Sequence, residues 1–357
     1  MAISQLSLTD FRNLKSTTLD FHPSLNLISG DNGSGKTSLL EAIFVLCQAR
    51  SFRSHQLKKS IQQGKSNFML FGRFSAYKAG ISKADKKLDI RVNGEDVKRR
   101  SILVAKTAIS IVNENSFNLI LGSPEERRQF IDWCLFHVEQ GYAESWLKFR
   151  HALKQRNQLL KTRRDLNLLD YWNDALVGPS EILKEQRQIC CQRLAVLIRE
   201  DMADLIGDMN IVIDYQPGWD TAINLLESLQ NSRNRDIRSG FTNTGIHRDN
   251  LQILANGQPA AEVLSRGQLK RLSLAMVVSS LQLVSELSNK PIILLVDDFS
   301  AEMDQKAQKK VYETLLKLKL QLFVTNIEAG AFTALQGKDF KMFHVEHGKI
   351  SVRKSNQ

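Results

Sequence analysis

The N-terminal part of the chain changes from short apolar runs to an apolar pattern of helical period. Residues 2–29 contain short apolar runs separated by Asn, Asp, Pro and Ser, and these runs predict strands. In residues 37–49 the apolar positions recur every three to four residues, which predicts an amphipathic helix. The glycine-rich segment 30–37 lies between the last strand and this helix. The predicted order is therefore strand, glycine loop and helix.

Strand-like segments continue through residues 67–112, where FMLFGRF, LDIRVNG and AISIV are separated by charged turns. The pattern then becomes helical. Ser123 to Glu126 matches a capping box with proline at the first helical position, and a region rich in Leu, Arg, Gln and Glu continues to about Asp208. This middle segment predicts a second, mainly helical lobe.

Strand and helix alternate again in the C-terminal part. Residues 211–215 and 251–254 are strand-like, and the polar stretch 232–244 between them predicts a mobile connection. A helix is predicted over about 268–287. The apolar run 292–296 follows a proline and predicts a buried strand of a parallel sheet.

The composition indicates one class of partner and argues against metal, disulfide and membrane features. The 357-residue chain carries 49 Lys and Arg against 38 Asp and Glu, a net charge of +11, which fits nucleic acid as a partner and equally fits a solvated basic surface. The four cysteines form no C-x-x-C pair, which argues against zinc and disulfide sites. No secretory leader and no apolar run of about 18 residues occurs. We therefore expect a soluble, cytoplasmic protein without a membrane partner.

The segment GDNGSGKT at residues 30–37 has the glycine spacing of a P-loop. Its glycines allow the tight turn that directs successive backbone N–H groups at phosphate oxygens, and the positive end of the next helix dipole adds to this field. Lys36, as a catalytic residue, would neutralise the β- and γ-phosphates of ATP, and the Thr37 hydroxyl would bind Mg²⁺. The predicted nucleotide-binding residues of this loop are Gly30, Asp31, Asn32, Gly33, Ser34, Gly35, Lys36 and Thr37.

A P-loop also requires an acid on a neighbouring strand, and the run IILLVDD ends in two candidates. Asp297 is predicted to bind the metal, and Asp298 to act as the base that orients the attacking water, although it could instead only cap the strand end. Aspartate is one methylene shorter than the glutamate common at such positions, so we expect slow hydrolysis. Because Thr37 and Asp297 are 260 positions apart, the helical lobe is predicted to be an insertion in the nucleotide domain.

The segment LSRGQ at 264–268 precedes a predicted helix, so its serine and glycine lie at a second helix N-terminus. Alone it could be an ordinary N-capped helix. The order of P-loop, LSRGQ, paired acids and SAEMD at 300–304 resembles the ATP-binding-cassette ATPases, whose signature is LSGGQ. In that superfamily the signature of one protomer closes over the nucleotide on the P-loop of another, which implies an ATP-dependent homodimer. The signature residues predicted to contact nucleotide are Ser265, Arg266, Gly267 and Gln268.

Longer blocks narrow this resemblance. The opening LTDFRNLKS with LNLISGDNGSGKTSLLEAIFVL, then GSPEERRQFID at 122–132, TGIHRDNL at 244–251 and LSRGQ through VDDFSAEMD, are similar to the RecF family of bacterial recombination-repair proteins. The resemblance implies an α/β P-loop NTPase head of the ABC and SMC type with an added, mainly helical second lobe. It implies an ATP-binding lobe of residues 1–115 and 285–357 and a second lobe, 116–284, that carries the signature.

The same resemblance implies a role and partners. The family binds DNA in an ATP-dependent manner at gaps, stalled forks and junctions of duplex with single strand. With RecO and RecR as partners, it helps to load RecA onto DNA covered by single-strand-binding protein. We therefore expect a weak, DNA-stimulated ATPase that acts as a switch, in which ATP assembles a homodimer on DNA and hydrolysis releases it.

Basic residues concentrate in two places where they could contact DNA phosphates. For each single residue, a solvated basic surface is an equal alternative. Because no aromatic interleaving and no sequence-reading motif accompany them, we expect binding that is selective for DNA structure and not for sequence. The candidates are Lys98, Arg99 and Arg100, and the helical series Lys148, Arg150, Lys154, Arg156, Lys161, Arg163 and Arg164.

Some positions depart from the family pattern or leave alternatives open. Residues 113–117 replace the usual run of Phe, Ser, Pro and acid. Thr325 and Asn326 stand where transporters carry a histidine, which favours a RecF-like protein over the main alternative, the ATPase subunit of a membrane transporter. A clamp that binds ATP without hydrolysing it is a second alternative.

His247 and Arg248 could contact nucleotide or a dimer partner, or could be hydrogen-bonded residues of a strand connection.

Overall fold

The computed structural model describes residues 2–298, 311, 313–315, 317, 318, 320–326 and 339–353. The segment SAEMD at 300–304 lies outside the described residues. The described helices are α1 (Lys36–Gln48), α2 (Arg100–Val104), α3 (Asn118–Leu121), α4 (Pro124–Val138), α5 (Tyr142–Thr162), α6 (Leu169–Asp201), α7 (Ala203–Ile206), α8 (Leu225–Asn231), α9 (Arg233–Ser239), α10 (Ala260–Val263) and α11 (Arg266–Leu287). The described strands are β1 (Ile3–Thr9), β2 (Thr17–Asp20), β3 (Leu25–Ser29), β4 (Asn67–Phe74), β5 (Lys78–Ala84), β6 (Leu88–Val92), β7 (Glu95–Asp96), β8 (Ala108–Val112), β9 (Ile211–Gln216), β10 (Asn250–Ala255), β11 (Gln258–Pro259), β12 (Ile292–Val296), β13 (Gln321–Asn326), β14 (Lys341–Glu346) and β15 (Lys349–Arg353).

The chain forms two compact units, which we call the end unit and the inserted unit. The end unit comprises Met1–Ser116 and Val284–Gln357, and the inserted unit comprises Phe117–Leu283. The predicted lobe boundaries differ from these limits by a single position. The P-loop and the paired acids belong to the end unit, and the signature segment belongs to the inserted unit.

A six-stranded sheet of the end unit carries the P-loop. Its strand order is β15-β14-β3-β13-β12-β8, and every neighbouring pair is parallel except β14 with β15. Strands β3 and β12 are buried along their whole length. Strand β13 lies between them, and the carboxyl ends of parallel strands meet at one edge of a sheet. The loop after β3 and the acids after β12 therefore lie at the same edge.

Helix α1 packs between this sheet and a second, antiparallel sheet with the order β2-β1-β4-β5-β6-β7. It contacts β8 and β13 of the parallel sheet and β4 and β5 of the antiparallel one. Every α1 residue except Thr37 is buried, whereas the sequence pattern predicted a helix with one apolar face. The difference arises because two sheets cover the helix instead of one.

The inserted unit is mainly helical, as predicted. Helices α5 and α6 pack together, and α6 also contacts β9 of a small antiparallel sheet with the order β11-β10-β9. The predicted capping box begins α4, where the Ser123 N–H donates to the Glu126 carboxylate over 2.7 Å. Within the described part of the chain, no helix combines the length and the apolar character needed to cross a membrane.

The prediction of a mobile stretch at 232–244 is wrong. Most of this stretch is α9, and Asp236 and Thr242 within it are buried. Both side chains accept hydrogen bonds from the Arg156 guanidinium of α5, over 2.8 and 2.7 Å. Part of the polarity of the stretch therefore reflects an internal hydrogen-bond network.

Candidate functional site

The P-loop turns sharply between β3 and α1. Gly30 has a φ angle of 144° and Gly35 one of 122°, and residues with a Cβ atom rarely adopt such values. A Cβ atom on Gly30 would lie 2.2 Å from the Val345 carbonyl oxygen. Glycine is therefore required at the start of the loop, both for its φ angle and for the close approach of β14.

Lys36 directs its ammonium group into this loop. The side chain is buried, and Nζ donates hydrogen bonds to the carbonyl oxygens of Gly30 over 2.7 Å and Asp31 over 3.0 Å. A lysine held by the carbonyl groups of its own loop lies where the phosphates of a P-loop nucleotide are bound. The geometry thus fits the predicted role of Lys36.

Thr37 and Asp297 meet at the edge of the parallel sheet. The Thr37 hydroxyl donates to Asp297 Oδ1 over 3.2 Å, and the Thr325 hydroxyl donates to the same oxygen over 2.8 Å. The register of β12 and β13 pairs Val296 with Val324, so the next residues of the two strands lie side by side. The sequence analysis noted Thr325 only as the replacement of a histidine, because its contact with Asp297 depends on this strand order.

The oxygen donors of Thr37 and Asp297 fit a magnesium ion. Mg²⁺ prefers carboxylate and hydroxyl oxygens and usually takes few of them from the protein, with water and phosphate as the rest. Burial raises the pKa of the Asp297 carboxyl above its usual value, despite hydrogen bonds from Thr325 and Thr37 that lower it. A divalent cation would offset the unfavourable burial of this carboxylate.

Asp298 follows with a left-handed backbone. Its φ angle is 48°, which is uncommon for a residue other than glycine and is better tolerated by aspartate than by most residues. Its N–H donates to the Thr325 hydroxyl over 2.9 Å, so one threonine holds both acids. Backbone strain of this kind occurs often at functional sites.

An open cavity of about 930 Å³ adjoins these groups. A volume of this size suits a nucleotide. Its wall includes P-loop residues and both acids, and also residues that the sequence analysis did not select. The additional lining residues are Arg12, Asn13, Ser38, Arg53, Ile61, Gln62, Gln63 and Lys65.

Two of these additional residues follow β1. The Asn13 side-chain amide donates to the Gly33 carbonyl over 3.2 Å and accepts from the Ser38 hydroxyl over 2.8 Å. Arg12 adopts a φ angle of 52° and forms an ion pair with Glu41 of α1. The short segment DFRN carried no spacing from which these contacts could be derived, since they depend on how the segment after β1 packs beside α1.

The signature segment begins α11 with reciprocal capping. The Ser265 N–H donates to Gln268 Oε1 over 2.9 Å, and the Gln268 N–H donates to the Ser265 hydroxyl over 3.4 Å. Ser265 and Arg266 are exposed, and Gly267 and Gln268 are half-buried. The segment therefore forms an N-capped helix start whose first residues are accessible to a ligand.

His247 and Arg248 lie in the turn before β10. His247 Nε2 is 3.0 Å from the Thr242 carbonyl oxygen, and burial lowers the pKa of this imidazole to about 4. The Arg248 guanidinium lies 5.4 Å from the centre of the Phe241 ring and 3.4 Å from the same carbonyl. These contacts favour the interpretation of both residues as part of a hydrogen-bonded strand connection.

The structure excludes one of the predicted DNA contacts. Arg156 is fully buried, and its guanidinium donates to Asp236, Asn173 and Thr242. Its position in α5 places it on the inner face with Phe149, so the prediction that Arg156 contacts DNA is wrong. The other candidates are exposed, namely Lys98, Arg99, Arg100, Lys148, Arg150, Lys154, Lys161, Arg163 and Arg164.

Known proteins resemble the chain over its whole length. The family model described as the RecF/RecN/SMC N terminal domain matches residues 2–351. The DNA replication and repair protein RecF of Cellvibrio japonicus is 37% identical over 362 residues, which cover 98% of this chain and 99% of that protein. The protein of the same name from Acinetobacter baylyi is 36% identical over 357 residues, with 98% and 99% covered.

Solved structures show the same fold. A structure of the recombination mediator protein RecF with ATP, in the RecFOR pathway, matches with a TM-score of 0.86 at 23% identity and covers 99% of this chain and 98% of that one. An Smc head domain from Pyrococcus furiosus matches with a TM-score of 0.60 at 18% identity, with 99% and 96% covered. The predicted α/β P-loop head of the ABC and SMC type with an added helical lobe is confirmed. The chain belongs to the RecF family.

Proposed function

We propose that this protein binds ATP with Mg²⁺ at the cavity of the end unit. The observation that carries the proposal is the contact of the Thr37 hydroxyl with Asp297 beside the buried Lys36. The backbone of residues 30–37 would hold the phosphates, and Lys36 would neutralise their charge. Thr37 and Asp297 would hold Mg²⁺, which polarises the phosphate oxygens when it is bound.

Asp298 is proposed as the base that orients the attacking water. Its carboxylate adjoins the cavity, and its backbone is fixed by Thr325. The short aspartate side chain reaches less far than a glutamate would, so hydrolysis is slow and suits a switch better than a continuous motor. Binding of ATP then favours one state of the protein, and hydrolysis returns it to the other.

Assembly of a homodimer is proposed as the response to ATP. Ser265, Arg266, Gly267 and Gln268 of one protomer would close over the nucleotide on the P-loop of the other. The exposed, N-capped start of α11 supports this role because the positive end of its helix dipole favours an anion. Two identical composite sites would then form in a symmetric dimer.

DNA is the proposed substrate of this dimer, and the cytoplasm its place of action. Family membership, relatives named as DNA replication and repair proteins and the net charge of +11 support a role in repair of gaps and stalled forks. RecO, RecR and RecA are the proposed partners, with loading of RecA as the outcome. The exposed basic residues Lys98–Arg100 and those of α5 are the proposed DNA contacts.

Sedimentation velocity tests the proposal. The wild type, Ser265→Arg and the control Thr221→Arg, which changes an exposed residue of the same unit, are compared with and without Mg·ATP and gapped duplex. We expect ATP to dimerise the wild type and the control, DNA to strengthen the shift, and Ser265→Arg to stay monomeric. A wild type that binds ATP but stays monomeric in every condition would contradict the homodimer.

Fluorescence anisotropy with labelled duplexes tests the DNA part. Replacing Lys154 or Arg163 by alanine should weaken binding equally for unrelated sequences and lower the salt slope by about one. A strong preference for one duplex sequence would contradict structure-selective binding.

Release of phosphate with DNA present then distinguishes a slow ATPase from a clamp that does not hydrolyse ATP.

A further inference from the structure

The turn of the β14–β15 hairpin contacts the P-loop through a backbone hydrogen bond. The Gly348 N–H donates to the Ser34 carbonyl over 2.9 Å, and the Lys15 N–H donates to the Gly348 carbonyl over 2.8 Å. One residue near the C-terminus thus joins the P-loop to the segment that follows β1. Neither partner is close to Gly348 in sequence, so the contact is a product of the fold.

No side chain fits at Gly348. Its φ angle is 74°, and a Cβ atom there would lie 1.9 Å from the Asn13 carbonyl oxygen and 3.3 Å from Leu14 Cα. Both of these atoms belong to the backbone, so neither can move aside as a flexible side chain would. A substitution at Gly348 must therefore displace either the hairpin turn or the segment around Asn13.

The contact fixes the orientation of the peptide bond between Ser34 and Gly35. All described peptide bonds are trans, and in a planar trans peptide the C=O and N–H groups point in opposite directions. Because the Ser34 carbonyl points at Gly348, the N–H of Gly35 points away from the hairpin. Gly35 lines the cavity that is assigned to the nucleotide.

We propose that Gly348 is a positioning residue for nucleotide binding, which orients the Gly35 N–H toward a phosphate through the Ser34 carbonyl. The inference rests on the proposed binding of ATP. Asn13 also helps to orient the loop, because its side-chain amide donates to the neighbouring Gly33 carbonyl. The hairpin and Asn13 together hold the carbonyl groups of two consecutive P-loop residues, Gly33 and Ser34.

Gly348→Ala tests the proposal, with Gly94→Ala as its matched control. Gly94 lies in the β6–β7 hairpin turn of the same unit at a φ angle of 91°, and a Cβ atom there meets nothing within 4 Å. Both variants carry similar backbone strain, but only Gly348→Ala must displace the hairpin turn or the segment around Asn13, each of which is hydrogen-bonded to the P-loop. Calorimetry with Mg·ATP should give an affinity about tenfold weaker for Gly348→Ala and close to wild type for Gly94→Ala.

Thermal unfolding separates positioning from a purely structural role. With Mg·ATP the rise in Tm should be smaller for Gly348→Ala than for Gly94→Ala, whatever the Tm of each variant without nucleotide. Equal affinities and equal shifts would overturn the positioning role, while a wild type that fails to bind ATP would overturn the proposed function itself.

Hydrogen exchange of the wild type covers the case in which Gly348→Ala does not fold. Mg·ATP should slow exchange in the segment around Gly348, which touches the loop, and leave the segment around Gly94 unchanged. Equal behaviour of the two segments would overturn the inference.

Discussion

Arg12 donates two hydrogen bonds to the Glu41 carboxylate, from Nε over 2.9 Å and from Nη2 over 2.7 Å. Glu41 is fully buried in α1 and also accepts from the hydroxyls of Ser51 over 2.6 Å and Ser60 over 3.0 Å. The pair holds Arg12, with its left-handed backbone, at the wall of the cavity. A buried carboxylate thus determines the position of a cationic residue that lines the cavity of the proposed nucleotide.

Replacing Glu41 by glutamine should destabilise the protein and weaken ATP binding. The change leaves the guanidinium of Arg12 without its counter-charge, which should lower the free energy of unfolding by about 3 kcal/mol in urea titrations. Asp96→Asn is the control, because Asp96 pairs with Arg91 on the exposed surface of the same unit and its loss should leave unfolding close to wild type. Equal midpoints for both variants would contradict the prediction.

Arg156→Gln should be far more destabilising than Lys154→Gln on the same helix. Arg156 is buried, and its removal leaves the buried Asp236 carboxylate unpaired, which should lower the free energy of unfolding by about 3 to 5 kcal/mol. Lys154 is exposed, and its change should alter that free energy by less than about 0.5 kcal/mol. Chemical denaturation measures both. If Arg156→Gln unfolds like the wild type and loses only DNA affinity, Arg156 is a DNA contact after all.

Thr325→Val should slow hydrolysis more than it weakens nucleotide binding. The hydroxyl bonds Asp297 Oδ1 and the Asp298 N–H, and valine keeps the shape of the side chain but makes neither bond. We expect kcat to fall about tenfold and the Kd for ATP to change by less than about threefold. Thr325→Ser retains the hydroxyl and should restore most of the rate. A serine variant as slow as the valine variant would show that the methyl group matters instead.

The protein should lose stability in mild acid through His247. Burial lowers its folded pKa to about 4, below the value of the unfolded chain, so as the pH falls the unfolded state binds the proton first. Between pH 7 and 5.5 this residue should remove about 1 kcal/mol of the free energy of unfolding. His247→Gln should flatten that dependence, and His151→Gln, which removes an exposed imidazole, should not. Parallel curves for the wild type and His247→Gln would contradict the assignment.

Local sequence patterns were sufficient to predict the P-loop and the pair of acids after β12. Glycine spacing, a preceding strand and a following helix lie within one short segment, and an apolar run that ends in acids is equally local. Strand β5 was not singled out, since its Lys, Gly and Ser residues give a weak strand pattern. Such errors leave the architecture unaffected, because the neighbouring strands of the hairpins were recognised.

The remaining contacts of the site depend on pairings across long sequence distances. Thr325 reaches Asp297 only because β13 lies next to β12 in the sheet. Arg156 and Asp236 are 80 positions apart, and nothing in their local sequences distinguishes a buried ion pair from solvated charges. For this reason Arg156 was wrongly predicted to contact DNA, and residues 232–244 were wrongly predicted to be a mobile connection.

The position of β3 in its sheet has a consequence for synthesis of the chain. Its two neighbours in the described sheet, β13 and β14, are translated long after β3 has left the ribosome. The inserted unit pairs its strands and helices within its own residues, so it can fold while translation continues. The sheet that supports the P-loop can form only after β13 and β14 have been translated. Competence to bind a nucleotide therefore requires that β13 and β14 have been translated and have paired with β3.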